Sequence, residues 1–438
     1  MTIWIYLFIL AAECFIVFQL NRRDICSPDF LFTIGFFIAA IDLVVMKDVW
    51  DVELHWNTIA IICGGILLFS FGCSLSRFLI THGKGKTPET STQIRNTSLD
   101  KISKARGWHY FFIIFNIVAI GIYALEVARA VRRTGRAGTF FYLLGKYSDV
   151  AKFTTENVAI PTIPSWLYHI CIWDGYIWGI VLAYDYIKNK RLNKPLFLCF
   201  ATAVLGCFIA GSRGDALSMI IGFAFIYLIQ YREKKGRRQY GLKVFGWALG
   251  IGALVVFLFN IFVKVMSLNT GIDSIFEYMS VYAGAPTANL DYFLQSNYSR
   301  PEIWGTNTFY DMIRWIGDKT GNTNLVYVRN LPFRYSNGHG MGNVYTMFYS
   351  LILDFGIAGG LGFIFLAGAI TEIFYLKACE TTKTVSLGKL MYMYYVPLIA
   401  FAFFANKFYP ALVTISILYI IIIWSLTKLG LKYKIKLK

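Results

Sequence analysis

Residues 56–76 read WNTIAIICGGILLFSFGCSLS, a run without one charged side chain. Wound as a helix at about 1.5 Å per residue, it reaches about 30 Å, the thickness of a bilayer's hydrocarbon core. A helix on the surface of a soluble domain keeps a polar face, and this stretch has none. Within lipid every backbone amide must find its partner inside the segment, so the run is predicted to be a membrane-spanning helix.

Working outward, ten more runs of the same kind are present: Ile3–Gln19, Phe30–Met46, His109–Val131, Ser165–Ile187, Pro195–Ala210, Gly214–Gln230, Val244–Val263, Val344–Leu376, Leu390–Phe404 and Ala411–Thr427. The whole chain is 57% hydrophobic and 15% charged, against about a quarter charged in soluble domains. The expected fold is all-α: a polytopic integral membrane protein with about eleven transmembrane helices. A large outer loop domain is expected between the eighth and ninth spans. Residues 1–263 then hold eight spans and a basic outer loop at 132–164, residues 264–342 form the large loop domain, and residues 343–438 hold three spans and a basic tail. Within the large loop, Ile272–Leu294 is amphipathic and Phe309–Ile316 is expected to be a short helix. Gly321, Pro332, Gly338, Gly340 and Gly342 read as turns. The first run lacks a small-residue cleavage site and contains Glu13, so it reads as a true span.

Lysine and arginine placement orients the bundle. With an odd number of spans, Arg22, Arg23, Arg77, Lys188, Lys190, Arg191, Arg232, Lys235, Lys377 and the lysines of the tail all fall on one side. Positive residues collect on the cytoplasmic side, which puts the N-terminus outside and the C-terminus inside. Much of the formal charge of +17 is then topological, with no nucleic-acid partner implied. The eight cysteines lie in spans or cytoplasmic connections, and no spacing of Cys and His suggests a metal.

Some cations stand on the wrong side of that scheme. The first outer segment carries Arg132, Arg133 and Arg136, and the large loop carries Arg300, Arg314, Arg329 and Arg334. The brief turn between the sixth and seventh spans places Arg213 among Gly211, Ser212 and Gly214. Guanidinium suits bidentate capture of phosphate oxygens, so these arginines are candidates for binding an anionic headgroup or a diphosphate-linked substrate. Alternatively, each could be structural, or reach for lipid headgroups from the interface.

The stretch Gly211-Ser212-Arg213-Gly214-Asp215-Ala216-Leu217 resembles the Ser-Arg-Gly and Arg-x-x-x-Leu element of bacterial O-antigen polymerases and ligases. Gly338-His339-Gly340-Met341-Gly342-Asn343-Val344-Tyr345-Thr346, running into Leu353-Asp354-Phe355-Gly356-Ile357-Ala358-Gly359, resembles the element on the C-terminal side of their large outer loop. His339 is separated from Asn343-Val344-Tyr345, unlike the His-Asn-Xaa-Tyr element typical of ligases, so the closer likeness is to oligosaccharide repeat-unit polymerases. The resemblance implies a GT-C-like bundle in the bacterial cytoplasmic membrane and a metal-independent glycosyltransferase without cofactor. Its donor and acceptor would be oligosaccharides linked to undecaprenyl pyrophosphate, polymerised into O-antigen, capsule or exopolysaccharide. A chain-length regulator and a flippase would be its partners, beside the lipid bilayer.

On that reading Arg213, His339 and Asp354 are the catalytic candidates. Arg213 would stabilise the departing pyrophosphate, and His339 would contact or deprotonate the acceptor hydroxyl. Asp354 would orient an arginine or His339. Arg132, Arg133, Arg136, Arg300, Arg314, Arg329, Arg334 and Tyr345 would bind substrate. Carboxylates inside spans are costly and face inward, and Glu13, Asp42 and Asp174 are expected to pair with arginines. Two rival functions stay open, a ligase moving finished glycan and a flippase for lipid-linked oligosaccharide. A flippase would more commonly show internal repeats and short outer loops, neither of which is evident here.

Overall fold

The computed structural model describes residues 1–83, 98–154, 156, 158–209, 213–235, 275–327, 331–380 and 384–432. The span expected at Val244–Val263, and Arg329, lie outside the described residues. Among these residues the chain is helical apart from one two-stranded hairpin. Six helices are long and apolar enough to cross a membrane: Thr2–Leu20, Pro28–Trp50, Trp56–His82, Arg106–Arg133, Gly214–Arg232 and Met347–Cys379.

Their surfaces say what solvent they face. On α1 (Thr2–Leu20) the exposed residues include Trp4, Phe8, Phe15 and Ile16, while Glu13 points into the protein. On α2 (Pro28–Trp50) Ile38, Ile41 and Val45 are exposed, and Asp29 and Thr33 are buried. Apolar side chains outward and polar ones inward is the arrangement favoured by hydrocarbon surroundings.

The chain divides into two compact units. The first comprises Met1–Glu89, Thr270–Leu376 and Tyr395–Ser416. In it α1, α2 and α3 (Trp56–Gly83) pack against one another. The long helix α13 (Met347–Cys379) crosses α3 at very close range. A Cβ on Gly72 would stand 2.2 Å from the Phe365 carbonyl, and one on Gly368 would stand 2.2 Å from that of Phe69. Small residues permit such approach, and van der Waals contact rather than water drives helix association in lipid. One end of this unit is held by charge. Arg77 of α3 donates Nε to Glu372 at 2.7 Å and Nη1 to Asn21 at 2.5 Å, and Asn21 in turn donates to Asp29 at 2.8 Å.

The opposite end carries the large connecting segment. It contains α10 (Ile275–Ala283), α11 (Ala285–Gln295), α12 (Tyr310–Thr320), a 3₁₀ turn at Thr323–Leu325 and the strands β1 (Arg334–Ser336) and β2 (His339–Gly342). The short helix expected at Phe309–Ile316 is α12, one turn longer. Gly338 is a turn as expected, joining the strands of the antiparallel hairpin with Ser336 paired to His339, whereas Gly340 and Gly342 lie in β2.

The second unit comprises Thr90–Asn269, Lys377–Tyr394 and Ile417–Lys438. Its helices are α4 (Ser98–Lys104), α5 (Arg106–Arg133), α6 (Phe140–Phe153), α7 (Thr162–Asn189), α8 (Lys194–Ile209) and α9 (Arg213–Lys235), with α16 (Ser416–Lys432) at its C-terminal part. Tyr123 of α5 stacks on Tyr168 of α7 at 4.0 Å. A Cβ on Gly175 would come within 2.4 Å of Ala203, which lets α7 and α8 close together.

Three expectations are corrected here. The last apolar run is two helices, α15 (Phe408–Val413) and α16, because Thr414 turns extended and its hydroxyl takes the Ala411 carbonyl at 3.1 Å. The tenth run, α14 (Leu387–Ala400), stops before Phe404, and Pro397 lies near its end. Among the described residues Glu13, Asp42 and Asp174 pair with no arginine. Asp42 accepts from Ser280 and from the Gly284 amide, each at 2.9 Å, and Asp174 accepts from Asn116 at 3.3 Å. At Asp42, hydroxyl and backbone amide donors satisfy both oxygens without the desolvation of a second charge.

Candidate functional site

The loop-bearing end of the first unit is built by ties to helix ends. The Asp42 carboxylate fixes the joint between α10 and α11. From α11, Asn289 donates to the carbonyls of Met341 at 3.1 Å and Val344 at 2.9 Å, which pins β2. The hairpin turn is pinned to α2, since Ser336 donates to the Trp50 carbonyl at 2.6 Å and Asn337 to that of Val49 at 3.0 Å. A short hairpin is marginal by itself, and these four bonds make it a fixed platform.

His339 rides on that platform in β2. Its Nδ1 meets Glu277 Oε1 of α10 at 2.7 Å, and both side chains are part-exposed. An ionised carboxylate can only accept, so the imidazole places a hydrogen on Nδ1, and in the neutral ring Nε2 is then the lone-pair site. On β1, Arg334 lies 4.2 Å from the centre of the Tyr292 ring and donates Nε to the Tyr345 hydroxyl at 3.3 Å. Tyr345 is only 3% exposed, and its hydroxyl donates to the Pro332 carbonyl at 3.0 Å. Burial raises its pKa above the usual phenol value, opposed by Arg334, so it remains a neutral hydroxyl that steers the guanidinium. Substrate contact by Tyr345 itself has no open face here.

The other arginines divide by what already holds them. Arg314 of α12 donates to the Tyr310 hydroxyl at 3.2 Å, which itself donates to the Tyr327 carbonyl at 2.8 Å. Arg300 lies against Gly356, where α13 is kinked. Asp354 turns neither to an arginine nor to His339. It accepts from the backbone amide of Asn307 at 3.1 Å, the Asn307 side chain at 3.0 Å and the Thr308 amide at 2.6 Å.

In the second unit Arg136 is ion-paired with Glu156. Arg132 and Arg133 close α5, exposed and without a side-chain partner among the described residues. Arg213 opens α9, and Asp215 two residues on is within electrostatic range of Tyr168 and His169 of α7. No family model, curated protein or solved structure matches the chain. The chemistry of these side chains therefore carries the functional argument.

Sequence reasoning missed Glu277, and it missed a second histidine–carboxylate pair, His55 with Asp291. Asp291 is separated from His55 by 236 positions, and no local spacing announces such a pair. The usable signal is weaker: His55 is one of five histidines and stands in a short connection on the same side as the large loop.

Proposed function

We propose that this chain is a glycosyltransferase of the bacterial cytoplasmic membrane. It polymerises oligosaccharide repeat units carried on undecaprenyl pyrophosphate into O-antigen, capsule or exopolysaccharide. Eleven spans, an outside N-terminus and a cytoplasmic C-terminus belong to this reading, and they put the 264–342 domain on the outer face. The observation that carries it is the pinned hairpin, which presents a carboxylate-held imidazole and a tyrosine-steered guanidinium from one platform. A polymerase must contact a neutral sugar hydroxyl and balance the charge growing on a diphosphate, and these are the two side-chain types suited to those tasks. Arg300 and Arg314 add positive charge to the same end, and Arg213 is assigned to the leaving pyrophosphate from its Ser-Arg-Gly turn. His339 meets the acceptor sugar. Asp354 supports the loop from behind.

The test is reconstitution of the full chain with lipid-linked repeat unit, read as a ladder of chain lengths on a gel. Arg213→Ala is expected to slow laddering by about 10²–10³, and Arg213→Lys to stay impaired because lysine cannot bind bidentately. His339→Gln is expected to weaken acceptor binding, read as a raised KM at normal abundance. Absence of any ladder from wild-type protein in a competent membrane ends the polymerase reading. Movement of the lipid-linked unit across the bilayer without bond formation replaces it with a transporter.

A further inference from the structure

His55 is the residue before α3, and its partner Asp291 lies on α11. Both Asp291 oxygens are used. Oδ1 accepts from the His55 backbone amide at 2.9 Å and from the Thr58 hydroxyl at 2.5 Å, while Oδ2 meets the His55 Nδ1 at 2.9 Å. The Asp291 side chain is 6% exposed and the His55 side chain 59%. From this geometry, and resting on the glycosyl-transfer reading above, we infer that His55 is the general base that removes the proton from the acceptor hydroxyl. Asp291 is its positioning residue.

A helix cap at the start of α3 would need only Oδ1, with Thr58 and one backbone amide as donors. The bond from Oδ2 to the ring is additional. Because the backbone amide and the ring of one residue bind the two oxygens of one carboxylate, the imidazole cannot swing without breaking that pair. Asp291 holds a hydrogen on Nδ1, and the part of the imidazole it does not engage includes Nε2, on a side chain that is 59% exposed. A buried carboxylate holding one ring nitrogen, with the other free for the substrate, is the arrangement that makes histidine an effective base and stabilises the imidazolium that forms. The His339–Glu277 pair is less enclosed, since the Glu277 side chain is 22% exposed and water competes for it. The connection holding His55 leaves α2 at Trp50, whose carbonyl binds Ser336 of the hairpin, so both imidazoles belong to the same end of this unit. The connection also carries Asp51 and Glu53, and Asp291 is the charged group in contact with the ring from a packed helix.

In the step, the acceptor oxygen forms its bond to the anomeric carbon of the donor and gives its proton to His55 Nε2. The bond from that carbon to the diphosphate oxygen breaks, and the electron pair leaves with the lipid diphosphate. Asp291 balances the imidazolium until water takes the proton from the exposed ring.

The experiment uses the full chain in proteoliposomes with lipid-linked repeat unit, with rates expressed per folded molecule. Wild type must first produce a ladder; its failure to do so counts against the glycosyl-transfer reading itself. With wild type active, His55→Gln is expected to lose about 10²–10⁴ in turnover. His55→Ala should recover part of its rate with added imidazole, because the site is open. Asp291→Asn keeps an acceptor for the helix cap but removes the charge, and is expected to lower kcat and move the acid limb of the pH–rate profile. His339→Gln, if it only meets the sugar, raises KM for acceptor and leaves that limb in place. A wild-type rate in His55→Gln overturns the assignment. So does a folded His55→Ala that imidazole fails to rescue, or an Asp291→Asn whose whole loss is a loss of folded protein.

Discussion

At the scale of single residues, Asp354 is the sharpest case. It is 2% exposed, and three donors from Asn307 and Thr308 converge on it. Removing the acceptor strands those donors, and each buried unsatisfied group costs about 1–3 kcal/mol. Asp354→Ala is therefore expected to destabilise the protein by about 3 kcal/mol or more, seen as a fall in melting temperature in detergent, with activity lost in proportion to folded protein. A variant that melts like wild type yet fails to turn over would make Asp354 part of the chemistry. Residue type was legible in the sequence, and residue partnership was not. The arginines of residues 132–136 and of the large loop stand out by their placement against the charge rule, but that rule is blind to neutralisation. Arg136 has Glu156 beside it, and Arg334 has Tyr292 and Tyr345. Burial likewise separates Tyr345, which steers Arg334, from the exposed aromatics of the same loop, and no linear pattern carries that distinction.

At the scale of elements, the long apolar helices were legible because their signal is additive along a run. The breaks in them were less so. Inside α13, Gly356 adopts φ 70° and ψ 176°, a region that costs any other residue about 1–3 kcal/mol. A Cβ there would also stand 2.2 Å from Arg300 Nη2. Gly338, in the hairpin turn, has φ 78° with no atom within 4 Å of a built Cβ, so alanine there meets only the left-handed penalty of about 1–2 kcal/mol. Gly356→Ala is accordingly expected to destabilise more than Gly338→Ala in thermal melts. Its excess should shrink in an Arg300→Ala background, since contacting residues couple. Equal costs, or strict additivity with Arg300→Ala, would show that the guanidinium does not rest on the kink. The hairpin itself is written in the sequence, because Asn337-Gly338 is a strong two-residue turn signal. Its strands are so short, however, that the glycines around the turn read equally well as loop.

At the scale of the whole molecule, hydrogen bonds within the first unit reduce topology to one binary choice. Arg77 with Asn21 and Glu372, and Tyr375 with Asp24, mark one end. Trp50 with Ser336, and His55 with Asp291, mark the other. Basic residues made this division legible, since Arg22, Arg23 and Arg77 sum on one side whatever their individual contacts. The choice of which end faces out rests on that sum, and lipid charge and membrane potential enforce it. Asn297 is exposed at the loop-bearing end and Arg22 is exposed at the other, while the natural cysteines are buried or half-buried. Cysteine introduced at Asn297 should react with a membrane-impermeant thiol reagent in intact cells stripped of any outer barrier. Cysteine introduced at Arg22 should react only after permeabilisation. Reversed labelling would put both imidazole–carboxylate pairs and Arg334 on the cytoplasmic face, and the assignment of an outer-face lipid diphosphate substrate would fall with the orientation.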